Sequence, residues 1–460
     1  MNVVVLGAGP AGLGAAYRLA TAGHHVTVLE RNSAPGGLAS SFEVAGLRVD
    51  HGSHRLHPAC APEIMALLRE LLGPDLQRRP RNGRIRLAGR WVAFPPTPAD
   101  LARRLPPRVA VGLARDTLTA PFRRTPRADT FAEVVRSKLG PTLAERFYFP
   151  YVRKIWGEEP EVLAGELARR RVGARSLGAL VQRLRSRGAA AERRSFYYPR
   201  RGYGEISERL ADAAAAAGAE IHYRTAVAGV EIADDRVCVR ADGGVTFEGD
   251  QAWSTLPLPL LASLVRPVAP ATVTAAAARL EFRAMTLVYL ALPRAHLTAF
   301  DAHYFPGPEV SFSRVSEPKN YRDSADDPTD RTVLCAEVPC SEGDDIWTAS
   351  DYDLGGMVAD GLASVGLAVG PVDEVVVRRV PKVYPTYRVG FEADFDVVDR
   401  WADTSGVLTL GRQGLFAHDN THHALAMAWA ATGALDADGS IDQQKWHTAR
   451  EAFRSHVVED

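Results

Sequence analysis

Cysteine is sparse in this chain of 460 residues, with only Cys60, Cys238, Cys335 and Cys340. None of them forms a C-x-x-C pair or a Cys/His ligand spacing, so no disulfide framework and no metal centre is indicated. Such usage suits a reducing compartment. No run approaches 18 uncharged apolar residues, which excludes a membrane-crossing helix from the sequence reading. The N-terminus lacks a basic region followed by an apolar stretch and a cleavage site, because Val3–Leu6 runs straight into glycine. It is therefore not expected to be a signal peptide, and a cytoplasmic protein is expected. Net charge is also absent: 55 basic and 55 acidic residues balance to +0. Nothing global then favours nucleic acid as a partner. Lysine is scarce beside arginine, so an arginine at any one position carries less information than usual. There is no internal repeat, and the polar stretch Asp323–Asp330 reads as a surface loop.

What is present begins with composition. Residues that are 46% hydrophobic and 24% charged describe an ordinary globular protein. The length allows two or three domain-sized units. Val3, Val4, Val5 and Leu6 read as a buried parallel strand. Gly7, Gly9 and Gly12 follow with the spacing G-x-G-x-x-G. The first glycine permits the tight turn, the second lets backbone approach a pyrophosphate, and the third allows helix to pack closely on strand. Ala11–Ala22 suits a helix whose N-terminus faces phosphate. Val26–Leu29 gives a second strand ending in Glu30, about 20 residues past the turn, where a carboxylate accepts from ribose hydroxyls. Strand, glycine turn, helix, strand and terminal acid in that order indicate a dinucleotide site.

Gly36, Gly37 and Leu38 open a second glycine turn, continuing through Phe42 to Asp50. From Val3 through this G-G-L-A-S-S-F segment the chain resembles the FAD-binding start of a superfamily. It holds protoporphyrinogen oxidase, phytoene desaturase, the flavin amine oxidases and UDP-galactopyranose mutase. The resemblance implies FAD as cofactor and an α/β fold: a Rossmann-like, glutathione-reductase-like FAD-binding domain, an interwoven substrate domain with a mixed β-sheet, and an inserted helical unit. Expected boundaries are 1–80, 195–265 and 400–460 for the discontinuous FAD-binding domain, 81–194 for the largely helical insertion, and 266–399 for the substrate sheet. Arg31, directly after the acid, and Val227 are expected on the cofactor side.

Four constellations are candidates for chemistry. Asp50-His51-Gly52-Ser53-His54-Arg55-Leu56-His57 resembles a segment that lies against the flavin in the superfamily, which places Gly52, Ser53, His54 and Arg55 beside it. A cation or donor there would stabilise a reduced ring. A surface histidine cluster is the alternative. Tyr151, Lys154, Trp156 and Gly157, followed by Arg171 and Arg175, resemble a substrate-binding stretch of the mutases. On a helix, Arg171 and Arg175 would share a face and grip a diphosphate, or simply form an exposed basic face. Arg314 and Lys319 flank a strand end, where such groups either point into a substrate cleft, making Arg314 a substrate-binding candidate, or form an ordinary charged loop. Finally, Tyr384 and Tyr387 precede Gly411 and Arg412, where the mutases make a late FAD contact. Beyond that point Phe416, His418, Asn420, Thr421, His422 and His423 replace the mutase Y-x-Y-x-x-M-D. If a general base exists, His54 is the first candidate, then His418 or His422.

Two chemistries follow. The first is an FAD-dependent oxidoreductase acting on an anionic organic small molecule, the flavin accepting a hydride. The second is a sugar-nucleotide mutase in which reduced flavin is the nucleophile. The arginine-rich stretch from Arg78 to Arg127 leaves room for peripheral contact with an anionic membrane surface, although its arginines recur on every side.

Overall fold

In the computed structural model the described residues are 1–94, 100, 103–123, 128–172, 195–233 and 236–458. The β-branched run Val3–Val5 lies within the central strand Asn2–Leu6 of a five-stranded, wholly parallel sheet. On one side lie His25–Leu29 and Glu220–His222, and on the other Gln251–Ser254 and Val407–Thr409. Four widely separated stretches of chain therefore converge on the first strand. Such a strand must be apolar on both faces, and Val3, Val4, Val5 and Leu6 are all buried.

The helix Pro10–Thr21 packs between Glu205–Ala216 and Thr421–Gly433. Small residues decide how close the last of these comes. A Cβ on Gly14 would sit 3.2 Å from Ala428, Leu425 and Trp429. Alanine-rich faces on both helices complete the contact.

A second, seven-stranded mixed sheet runs Glu374–Pro385, Phe282–Leu292, Thr332–Cys340, Arg314–Ser316, Ala302–Tyr304, Gly83–Leu87 and Arg90–Phe94. The last two form a hairpin, and Gly83–Leu87 pairs in parallel with Ala302–Tyr304. A four-stranded sheet built on Val227–Ala233 and Arg236–Ala241 covers the other flank. Helices follow at Pro107–Thr119, Phe131–Leu139, Phe149–Trp156 and Gly165–Val172. Near the first of these, Val111, Leu118 and Phe122 are exposed at 68%, 76% and 85%. Their spacing of seven and four puts them in one stripe if the helical turn continues. No described helix is long and apolar enough to cross a membrane.

One residue ties the seven-stranded sheet to the strand pairs and turn beside it. Asp50, at the end of Leu47–Asp50, accepts from Ser41 Oγ at 2.6 Å, Tyr203 N at 2.9 Å and Tyr198 Oη at 2.5 Å. Its backbone carbonyl accepts from Tyr289 Oη, in the middle of the seven-stranded sheet, at 2.5 Å. The Gly202 and Gly204 turn fits against the same place: Cβ atoms there would meet Ser41 Oγ at 2.9 Å and Ser41 N at 2.5 Å. Asp50→Ala leaves three buried donors without an acceptor, so the expected loss is about 3–5 kcal/mol. Urea unfolding of the purified variant checks this, and a change under about 1 kcal/mol would remove Asp50 from this role.

Candidate functional site

At the N-terminal turn the three glycines separate into three physical roles. Gly7 adopts φ +103°, and a Cβ there would lie 2.5 Å from Thr255 Oγ1. A Cβ on Gly12 would fall 2.0 Å from the Gly7 carbonyl, so helix and strand touch there. Gly9 has ordinary extended backbone, and a Cβ on it would meet nothing within 4 Å. Nothing in the chain itself requires glycine at that position, which opens toward solvent space at a helix N-terminus and fits an approaching pyrophosphate.

Around this turn the sequence candidates assemble. Glu30 is buried and accepts from Ala8 N and Asn32 N at 2.9 Å each. Arg31 is exposed just beyond it. Thr225 N donates to the Glu30 carbonyl, which brings Val227 alongside. Gly36 N donates to Ala8 O, and a Cβ on Gly37 would lie 3.7 Å from Gly9 Cα, so the second glycine turn, with Leu38 in it, borders the first. Gly411 closes the ring from the far end of the chain: at φ +79° its Cβ would lie 2.8 Å from Ala11 Cβ.

From Gly411 onward the chain docks on the end of strand Glu374–Pro385 through that strand's carbonyls. Gln413 Nε2 donates to Lys382 O at 2.7 Å, Arg412 Nη2 to Val383 O at 2.5 Å, and His418 Nε2 to Pro385 O at 2.8 Å. Trp156 Nε1 shares the last acceptor at 3.4 Å. The buried Arg412 Nε and Gln413 Oε1 meet no partner among the described residues. Unanswered polar atoms beside the glycine turns fit a cofactor with a polar edge.

The same docking gathers a cation–aromatic cluster. Arg171 lies 4.6 Å from the Tyr384 ring and 5.4 Å from Trp156, and Arg412 lies 5.2 Å from the Tyr384 ring. Arg171 Nη2 is 3.5 Å from His418 Nδ1. Since Pro385 O only accepts, Nε2 of His418 carries the hydrogen and Nδ1 is the acceptor facing Arg171. Burial, then the charges of Arg171, Arg412 and Arg170, hold His418 neutral far below its ordinary range. It orients Arg171 and is not a base poised for substrate. Phe416, between Arg412 and His418, is buried at φ +47°, a strained conformation for an aromatic residue. Tyr387 steadies it, donating to Phe416 O at 2.7 Å. Arg175 lies outside the described residues.

Other sequence candidates sit elsewhere, in pairings with no local signal. Arg55 turns toward the seven-stranded sheet, bonding Tyr304 Oη at 2.9 Å and Asp301 at 3.3 Å, between the rings of Phe196 and Tyr321. Burial opposes its charge, and Tyr304, Tyr321 and Asp301 more than offset that. Arg314 grips Glu337 through both carboxylate oxygens at 2.8 and 2.9 Å. Gly52 and Ser53 meet that pair, Ser53 N donating to Glu337 at 2.8 Å. His54 bonds the His51 carbonyl at 3.0 Å, stacks on Tyr203 at 5.3 Å and is kept neutral by burial. His422, buried, lies 6.2 Å from His57 and 4.0 Å from His423. Lys154 donates to Phe305 O at 2.7 Å and Phe312 O at 3.1 Å.

The flavin containing amine oxidoreductase family matches residues 10–416. Curated relatives match over short segments: phytoene dehydrogenase of Streptomyces griseus is 55% identical over 51 residues, 11% of this chain and 10% of that protein. L-amino-acid oxidase of Notechis scutatus scutatus is 45% identical over 73 residues, 15% of this chain and 13% of that one. The chain thus matches only about a tenth of these relatives' own length. Among solved structures, a reduced UDP-galactopyranose mutase superposes with TM-score 0.82 at 21% identity, covering 99% of both chains. Putrescine oxidase bound to putrescine superposes with TM-score 0.64 at 16% identity, covering 94% of this chain and 98% of that one.

Two outcomes test the geometry. Gly9→Ala should change the stability of the cofactor-free protein by under about 1 kcal/mol while weakening FAD binding. Gly12→Ala should cost about 1–3 kcal/mol in either form, read by thermal melts and released flavin fluorescence. Equal destabilisation by both would refute the division of roles. For Lys154, burial lowers the ammonium from 10.5 to about 8. Below that value both states are charged and the folded one bears the burial cost. Between about 8 and 10.5 only the unfolded chain stays protonated, so stability rises with pH, by roughly 3 kcal/mol. Denaturant unfolding at either end of this window should show the rise in the parent and not in Lys154→Met.

Proposed function

Because this chain belongs to the flavin containing amine oxidoreductase family, with FAD as its cofactor, we propose that it oxidises an anionic organic small molecule. The observation that carries this reading is the Arg171–Arg412 pair lying over Tyr384, with Trp156 alongside, directly next to the turn at Gly411. Gly9 lets the pyrophosphate approach the turn that Gly7 and Gly12 shape, Glu30 meets the ribose, and Gly36, Gly37, Gly411 and Arg412 border the remainder. Bound FAD supplies the acceptor for a hydride leaving a C–H or N–H bond.

The chain's residues bind and orient. Guanidinium groups at Arg171 and Arg412 pair with a carboxylate or phosphate on the substrate. Both are partly withdrawn from water, which strengthens that attraction. The faces of Trp156 and Tyr384 give a flat apolar body a wall to lie on. His418, neutral and fixed by the Pro385 carbonyl, keeps Arg171 aimed. His54 and His422 remain the histidines that stand nearest to a proton-transfer role, His54 being neutral and backbone-anchored through Nε2, which leaves Nδ1 as its acceptor.

A sugar-nucleotide mutase is the second reading. It is favoured by the gathering of Trp156, Arg171, Tyr384 and Arg412, the residues carried over from the mutase pattern, into one cluster. Phe416 and His418 at the tyrosine positions count against it, because a diphosphate loses two hydroxyl donors there.

Air-free mixing of the yellow protein with anionic reduced compounds should bleach its colour for the true substrate class. Arg171→Gln should then raise KM about 10- to 100-fold with a smaller effect on kcat. Conversion of a nucleotide-sugar by dithionite-reduced enzyme, with no bleaching by any compound, would transfer the assignment to the mutase reading.

A further inference from the structure

Asp419, His423 and His456 come together where the C-terminal tail crosses the start of helix Thr421–Gly433, and the substrate cluster reaches them through Arg412 Nη1, which donates to the Asp419 carbonyl at 3.3 Å. Asp419 Oδ1 is 3.3 Å from His423 Nδ1 and 3.1 Å from His456 Nδ1. One nitrogen or oxygen from each of the three residues lies within 4.8 Å of the others. The imidazoles stack with centroids 4.1 Å apart. The tail is held in register, because Val458 N donates to Arg170 O at 2.9 Å.

Two observations set this trio apart from a simple capped helix end. First, Asp419 is 3% exposed, yet its second oxygen, Oδ2, meets no hydrogen-bond partner among the described residues. A buried carboxylate oxygen left unanswered is costly and calls for a partner. Second, the two separations to Asp419 Oδ1, 3.3 and 3.1 Å, are close to those between ligands of a bound cation, and all three ligand atoms lie within 4.8 Å. Ligands about 2.0–2.1 Å from a tetrahedral ion stand roughly 3.3 Å from one another. The chemistry is also consistent: two imidazoles and one carboxylate suit a borderline first-row divalent ion.

We propose that Asp419, His423 and His456 form a divalent transition-metal site, of the zinc class, that clamps the C-terminal tail to the helix closing the cofactor domain. Binding would replace the Asn420 N–H contact to His423 Nδ1, at 3.2 Å, by a metal bond, while the Asn420 side chain continues to cap the helix. Arg170 is the nearby opposing charge, and Glu166 neutralises it at 2.8 Å. His456 and His423 retain some exposure, with side chains 18% and 13% accessible, giving the ion an entry path and room for water as a further ligand. The spacing from 419 to 456 is too long to be read as a ligand motif in sequence.

The experiment is calorimetric titration of zinc chloride into the chelator-stripped, FAD-loaded full chain, alongside His423→Ala and His456→Ala. One zinc per chain is expected in the parent. Affinity should fall on the order of 100-fold in each variant, with FAD absorbance retained, and zinc should raise the thermal midpoint of the parent alone. Cobalt(II) in place of zinc should give visible absorption bands that both variants lose. Absence of stoichiometric binding in the parent, or binding of equal strength in both variants, overturns the site. Because His456 lies on the tail outside the folded helices, its variant keeps the test decisive even if His423→Ala fails to fold.

Discussion

Asp50 is the constraint on which the arrangement of the two halves depends. Its carboxylate holds Ser41, Tyr198 and the Tyr203 backbone on the cofactor side, and its carbonyl holds Tyr289 in the seven-stranded sheet. A single buried charge satisfied by three donors is a strict geometric device, because any displacement leaves a donor or the charge itself unanswered. The segment that follows, Gly52 through His57, inherits its position from that anchor. Ser53 N then meets Glu337 and Arg55 reaches Asp301, so this segment is fixed against the seven-stranded sheet at two further points.

The second joint is made of backbone carbonyls. Strand Glu374–Pro385 ends beside the returning chain and offers Lys382, Val383 and Pro385 oxygens to Gln413, Arg412 and His418. Arg412 gains its position there from Val383 O, and a carbonyl orients a guanidinium without cancelling its charge. Arg55 and Arg314 are held instead by the carboxylates of Asp301 and Glu337. In a chain so rich in arginine, the nature of the partner is what separates a binding group from a structural one.

How legible all this was follows from sequence distance. The strand Val3–Leu6, the glycine turn, Glu30 and the late Gly411–Arg412 turn were readable because periodicity, β-branching and glycine conformation are local properties. Arg171, Trp156, Tyr384 and Arg412 were each readable as candidates, but not as a cluster. Arg55 and Arg314 were read as ligand-facing because nothing near them in sequence reveals Asp301, Tyr304 or Glu337. His418 read as a possible base for the same reason: Pro385 and Arg171, which fix its tautomer and keep it neutral, lie 33 and 247 positions away.

The first glycine turn opens at Gly7 and is met by Gly411, against the first turn of the first helix. A ribosome would therefore have made nearly nine-tenths of the chain before the first strand gained its outermost sheet neighbour, Val407–Thr409, and before the first helix met Thr421–Gly433. Contacts of such high sequence separation form late and slowly. The nascent N-terminal half must wait with an apolar helix face uncovered, and a chain cut short anywhere before residue 411 would leave its dinucleotide loop without a wall. Closure of that wall therefore has to wait for synthesis to pass residue 411.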